Sequence, residues 1–342
     1  MKNAFILLIL LIAGGCATRA QNATTPTEQE RYRSAAEYSA RHRGVSVLIL
    51  KGGEIVFEEY QNGRTAATPW ILASGTKSFA GVMLAAAVED KLVKSFDEKV
   101  SETITEWKSD RRKSRITLRD LLSLTSGVDA GRLGRVPTYR EAVDYPVEAE
   151  AGARFAYGPV PFQIFGEVMR RKLAPRNESV MDYFERRVLD PIGLKVGFWR
   201  RGADDQLLLP QGAALTAREW VKFGQLLKDG GRWRGRQIIA KKHLDELVKG
   251  TEANPAYGIT FWLNQAGIDP RGAATAARVA ANGSDDETRV KDLYMAAGAG
   301  NQRLYIIPSL DLVVVRQGNF GRWDDQEFLG RLLFGKTIER KN

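Results

Sequence analysis

The sequence predicts an α+β fold: a domain built from both ends of the chain, with a mainly helical domain inserted between the halves. Two observations predict it. Strand signals occur near the start and near the end of the chain, and the long middle carries mostly helical periodicity broken by Gly/Pro loops. In order, residues 29–42 have helical spacing, with Tyr32, Ala35, Ala36 and Tyr38 as inner residues, and Gly44 ends the run. Residues 45–51 and 54–60 are β-rich and are separated by Gly52-Gly53, a hairpin signal. Residues 74–91 form a long apolar helix pattern through Phe79, Val82, Met83, Ala86 and Val88. Beyond Gly231, residues 258–263, 303–307 and 312–316 read as strands and 325–334 as a final helix. The α/β domain is thus expected over 29–65 and 240–342, and the helical domain over 66–239.

Composition narrows the function classes. The chain has 342 residues, 44% hydrophobic and 27% charged, which excludes a disordered chain and a multi-span membrane protein. One Cys excludes an internal disulfide framework and a Cys-rich metal site, and two His leave little for a His-rich metal centre. The formal charge of +10 raises nucleic acid or an anionic envelope surface as a partner. No nucleic-acid module accompanies the basic runs at 108–115 and 232–242, which mix with acids or Trp and read as solvated faces.

The lone Cys has its own context. Lys2 precedes an unbroken apolar run at residues 5–13, too short to span a membrane and shaped like a signal-peptide core. Ile12-Ala13-Gly14-Gly15-Cys16 resembles a bacterial lipobox, with Ala13 where Leu is usual. The expectation is a signal peptide over 1–15, lipidation of Cys16, and a flexible tether over 16–28; ordinary signal cleavage a few residues later is the alternative.

Ser74-Gly75-Thr76-Lys77 is S-x-x-K. Positions i and i+3 share a helix face, so the Lys77 amine can reach the Ser74 hydroxyl. Serine is a weak nucleophile without an adjacent base, and a lysine shielded from water gives up its proton more easily than usual. The bare pattern is common, and Ser74 could equally be a helix cap. Its surroundings add weight: Trp70-Ile71-Leu72-Ala73 before it, then Leu118-Arg119-Asp120-Leu121-Leu122-Ser123-Leu124-Thr125-Ser126-Gly127.

With those segments the chain resembles the serine β-lactamase-related hydrolases, which include class C β-lactamases, D-alanyl-D-alanine peptidases and several esterases and amidases. The resemblance runs over about residues 45–334, with Leu124 where the family often has His. It implies a β-lactamase/transpeptidase-like fold with an antiparallel sheet flanked by helices. It makes Tyr157, in Phe155-Ala156-Tyr157-Gly158-Pro159, the second motif; Pro159 stands where the family usually has Asn. A tyrosine beside a cationic lysine is expected to have a lowered pKa and to relay protons. The third motif matches Ala296-Ala297-Gly298, with Ala296 in place of the usual Lys or His. Gly298 keeps the glycine, and the backbone N–H groups of Ser74 and Ala299 would form the oxyanion hole. Gln302 or Arg303 could replace the missing cation in substrate binding. Members with a neutral third motif act as esterases or amidases.

Other patterns are weaker. Residues 330–337 match the P-loop pattern, but apolar helical residues fill the supposed loop. Ser284-Asp285-Asp286 reads as a polar loop, Thr216 to Glu219 as a capping box, and His42 and His243 as exposed residues outside any catalytic triad. The expected function is hydrolysis of a small ester or amide by an exported enzyme facing the periplasm, lipid-anchored to the membrane, without metal or cofactor. A β-lactamase or D-alanyl-D-alanine carboxypeptidase is one alternative, and a non-catalytic envelope binding protein of the same fold is the other.

Overall fold

The structure is a computed structural model, which describes residues 25–269, 274–275 and 290–336. Its centre is a six-stranded antiparallel sheet in the order β2-β1-β13-β12-β11-β8. Two strands come from near the N-terminus, β1 (Gly44–Lys51) and β2 (Glu54–Tyr60). The others are β8 (Trp262–Leu263), β11 (Tyr294–Gly298), β12 (Gln302–Ile307) and β13 (Leu312–Gly318). The central contact is β1 against β13, with Val47 opposite Arg316 and Lys51 opposite Leu312.

Helix α1 (Glu28–Arg41) starts at Thr27 in a full capping box, which satisfies orphan N–H groups on both sides of the cap. It covers one sheet face together with α9 (Asp325–Phe334), which stacks Phe328 on Tyr305. The P-loop-like pattern therefore falls on a regular helix up to Phe334, and Gly335 forms its left-handed C-terminal cap. The other face receives α7 (Ala217–Lys228), where Gly224 allows close approach: a Cβ there would sit 2.5 Å from Val313. The capping box expected at Thr216 is half formed. Thr216 Oγ1 accepts from Glu219 N, but the Glu219 carboxylate is taken by Lys195 N and Lys222 Nζ.

Helix α2 (Lys77–Glu89) is buried from Lys77 through Ala87, which explains its unbroken apolar run: every side faces protein. Around it lie α3 (Leu118–Leu122), α4 (Tyr139–Val143), α5 (Val160–Leu173), α6 (Val180–Phe184) and α8 (Lys241–Asp245). The middle of the chain is less purely helical than its periodicity suggests. It holds a small sheet of β3 (Trp70–Ile71), β5 (Ala213–Leu215) and β4 (Phe198–Trp199), and a hairpin of β6 (Arg232–Trp233) and β7 (Arg236–Gln237). A further pair, β9 (Gly267–Ile268) and β10 (Ala274–Thr275), follows β8.

Arg316 is a charged residue fully buried within β13. Its guanidinium donates to Gly300 O, Asn301 O and His42 O and to Ser39 Oγ, and lies over the Trp323 ring at 4.1 Å. Burial lowers its pKa to about 10, so it stays charged at neutral pH. It joins the turn after β11 to the end of α1. Replacing Arg316 with Met would strand those buried carbonyls and is expected to cost about 3 kcal/mol in a urea titration; a loss below about 1 kcal/mol would contradict the assigned role.

Candidate active site

Ser74 lies in a short 3-10 turn, Ala73–Thr76, between β3 and α2. Ala73, just before it, has a φ of 47°, a strained value for a residue with a Cβ. The strain is held in place by Leu72, whose N–H donates to Ala213 O and whose carbonyl accepts from Gly75 N, and by Thr76 Oγ1, which accepts from Ala213 N. The sharp strand-to-helix corner leaves Ser74 half-buried and turns the next helical residue, Lys77, inward.

Lys77 is 3% exposed. Its Nζ donates to Ser74 Oγ at 3.2 Å and to Pro210 O at 3.0 Å. Burial pulls its pKa from the usual lysine value down to about 7, because a charged ammonium there has lost its water. Its amine lies 4.9 Å from the centre of the Tyr157 ring and 5.2 Å from that of Phe162.

The loop that presents Tyr157 is fixed by backbone bonds. Ala156 N donates to Leu124 O, Val160 N donates to Ala130 O, and Gly158 abuts the Ala130 carbonyl. Leu124, at the position expected for a family His, is buried with a φ of 61° and supports this loop through its carbonyl. Pro159 caps α5 and presents no side-chain amide. The Lys77 amine bonds Ser74 Oγ and lies against the Tyr157 ring, so Ser74, Lys77 and Tyr157 form one cluster.

The expected lowering of the Tyr157 pKa is corrected. Burial raises it to about 12; the nearby Ser74 hydroxyl and the charge of Arg303 only partly oppose this. Lys77 does not offset this: with a pKa near 7 its amine is about half neutral at pH 7 and mostly neutral above it, so it offers limited charge to stabilise a phenolate. The arrangement therefore supplies a neutral amine able to accept the serine proton and a neutral phenol able to donate one.

The third segment arrives on the sheet. Gly298, at the end of β11, presses on the serine turn so closely that a Cβ would lie 2.0 Å from Leu72 O and 2.9 Å from Gly75 N. Ala299 follows, exposed on the turn into β12. Ala296 is buried within the sheet opposite Leu304, so no cation stands at that position.

Gln302 and Arg303 do not supply one. The Gln302 amide donates to Ala299 O, Gly300 O and Gly318 O and accepts from Gly318 N, which leaves it wholly engaged in the hairpin. Arg303 forms a two-pronged pair with Asp325 and also donates to Gln302 O. Both are committed to holding the Gly298–Ala299 turn. His42 and His243 are half-buried, not exposed: His42 Nδ1 lies 2.8 Å from Tyr38 O, and His243 stands beside Phe96. Cys16 and Ser284-Asp285-Asp286 lie outside the described residues.

One part of the site is invisible to motif reading. Tyr157 stacks on Trp262 (ring centres 5.7 Å apart, planes at 29°) and meets Tyr257 edge-on at 6.2 Å. Phe155 packs on both of these aromatics. A Tyr and a Trp five residues apart at the start of a two-residue strand carry no chemical signature; their aromatic density is the signal the sequence offers.

A family model for Beta-lactamase matches residues 30–328. Among solved structures the chain is similar to EstCE1, a hydrolase with promiscuous acyltransferase activity, at 15% identity and a TM-score of 0.66, covering 89% of this chain and 96% of that one. It is similar to a penicillin-binding protein homologue from Caulobacter crescentus (14%, TM-score 0.67, 90% and 96% covered). A class C beta-lactamase from Rhodobacter sphaeroides is also similar (16%, TM-score 0.64, 90% and 98% covered). No curated protein matches. At these identities the structural likeness speaks for the fold.

Proposed function

The chain belongs to the beta-lactamase family of serine hydrolases, and on that premise we propose that it hydrolyses small esters or amides through an acyl-enzyme on Ser74. The observation that carries the reading is the buried Lys77 amine, 3.2 Å from Ser74 Oγ, with its pKa drawn down to about 7. Lys77 accepts the hydroxyl proton as Ser74 Oγ bonds to the substrate carbonyl carbon. The N–H groups of Ser74 and Ala299 stabilise the oxyanion. Tyr157 gives its proton to the departing alkoxide or amine, and Lys77 restores it. Water then attacks the acyl-enzyme with its proton taken by the same pair, and Ser74 is released.

The substrate is an uncharged ester or amide in preference to a β-lactam. Ala296 brings no cation to the third motif, Pro159 no amide to the second, and the nearby Arg303 charge is spent on Asp325. A fluorophosphonate probe is expected to label the wild type and not Ser74→Ala; equal labelling would refute the acyl-enzyme reading. Turnover of a chromogenic cephalosporin well above that of p-nitrophenyl esters would overturn the substrate preference. The apolar leader and Cys16 support a periplasm-facing, lipid-anchored location, tested by whether Cys16→Ser releases the protein from the membrane fraction.

A further inference from the structure

We propose that the turn over residues 257–262 is the positioning element of this site: Trp262, anchored by a strained Thr260, holds the Tyr157 ring in register with the helix that carries Lys77. The proposal rests on the acyl-enzyme reading above and goes beyond it, because no motif includes these residues.

Thr260 has a φ of 72°, a left-handed backbone that a β-branched residue adopts only under constraint, at a cost of about 1–3 kcal/mol. The constraint is visible. Thr260 N donates to Leu122 O, Ile259 N to Leu247 O and Gly258 N to Phe261 O, and Leu263 N donates to Ala256 O to close the turn. The Thr260 side chain, 3% exposed, fills the space left by Gly81, where a Cβ would meet Thr260 Oγ1 at 2.3 Å. Gly81 lies on α2, four residues after Lys77 and on the same face.

The same turn reaches the other two parts of the site. Trp262 enters β8 opposite Met295 of β11, the strand that ends at Gly298. Its ring stacks on Tyr157, and Tyr257 braces Trp262 edge-on at 4.8 Å. One rigid turn thus touches the Lys77 helix, the Gly298 strand and the Tyr157 ring. A shift of about 1 Å in a reacting group can cost two orders of magnitude in rate, so strain kept at this junction has a function.

The test is steady-state kinetics of Trp262→Leu and Trp262→Phe on two esters of one acid, a p-nitrophenyl ester and an alkyl ester. A p-nitrophenolate leaves unaided, whereas an alkoxide needs the Tyr157 proton. For Trp262→Leu, kcat/KM, which reports acylation and not the shared deacylation step, is expected to fall about tenfold to a hundredfold on the alkyl ester and clearly less on the p-nitrophenyl ester, with fluorophosphonate labelling retained. Trp262→Phe, which keeps an aromatic wall, should recover most of kcat/KM. Equal losses of kcat/KM on both esters, or an unchanged kcat/KM on the alkyl ester, would overturn the proposal. If the leucine variant melts early, Trp262→Met is read in the same way. Failure of the wild type to label above Ser74→Ala would instead remove the acyl-enzyme reading.

Discussion

Lys77→Met is expected to lose activity and gain stability at once. With no base beside Ser74, kcat/KM should fall by about three orders of magnitude. The stability gain follows from the pKa. Lys77 titrates near 7 in the folded protein and near its ordinary value of 10.5 in the unfolded chain. Between these values the unfolded state binds more protons, so this group makes stability rise with pH. Below pH 7 the native state carries a buried ammonium, and the cost is complete, on the order of a few kcal/mol. Methionine removes that cost, offset in part by the lost bond to Pro210 O. Calorimetry should show the variant melting above wild type at pH 6, with the gap narrowing towards pH 10. An equal gap at both pH values, or a lower melting point at pH 6, would contradict a depressed lysine. The wild-type pH profile follows from the same group: activity should rise through pH 7 as Lys77 loses its proton.

The second large effect is at Gly298. Even alanine would place a Cβ 2.0 Å from Leu72 O and force β11 away from the serine turn. Both surfaces are backbone, so no side chain can turn aside to relieve the clash. Gly298→Ala is expected to destabilise by about 3 kcal/mol and to reduce fluorophosphonate labelling at least a hundredfold, because the Ser74 and Ala299 N–H groups separate. A variant labelling within tenfold of wild type would show that the strand can retreat without harm to the site.

The terminal elements were legible because each is long enough for its period to show. The helix read over 29–42 is α1 at Glu28–Arg41, and the strand read over 312–316 is β13 at Leu312–Gly318. The small sheet of β3, β5 and β4 was not, since strands of two or three residues carry no alternation to detect. The strand read over 258–263 shrinks to Trp262–Leu263 because Thr260 bends the chain into a turn that only tertiary contacts can impose. Within the site, the S-x-x-K spacing correctly brought Lys77 to Ser74, since adjacency on a helix is local. The pKa of Tyr157 was misjudged because it depends on burial, which raises it and at the same time discharges its neighbour. Gln302 and Arg303 looked available for substrate because partners such as Asp325 and Gly318 O are far along the chain or belong to the backbone.

The pairing of β1 with β13 has a consequence for how the molecule comes into being. The first long strand ends at Lys51, and its inner neighbour is not made until residues 312–318 have been added. Until then β1 is paired with β2 on one edge and offers an open edge on the other, and contacts of such wide sequence separation form late. Gly298 and Ala299 also arrive with those last strands. A chain cut short before β13 would carry Ser74, Lys77 and Tyr157 yet have no central strand pair to bring the rest of the site to them. The Ser74 site therefore depends on a strand pair that joins residues 44–51 to residues 312–318.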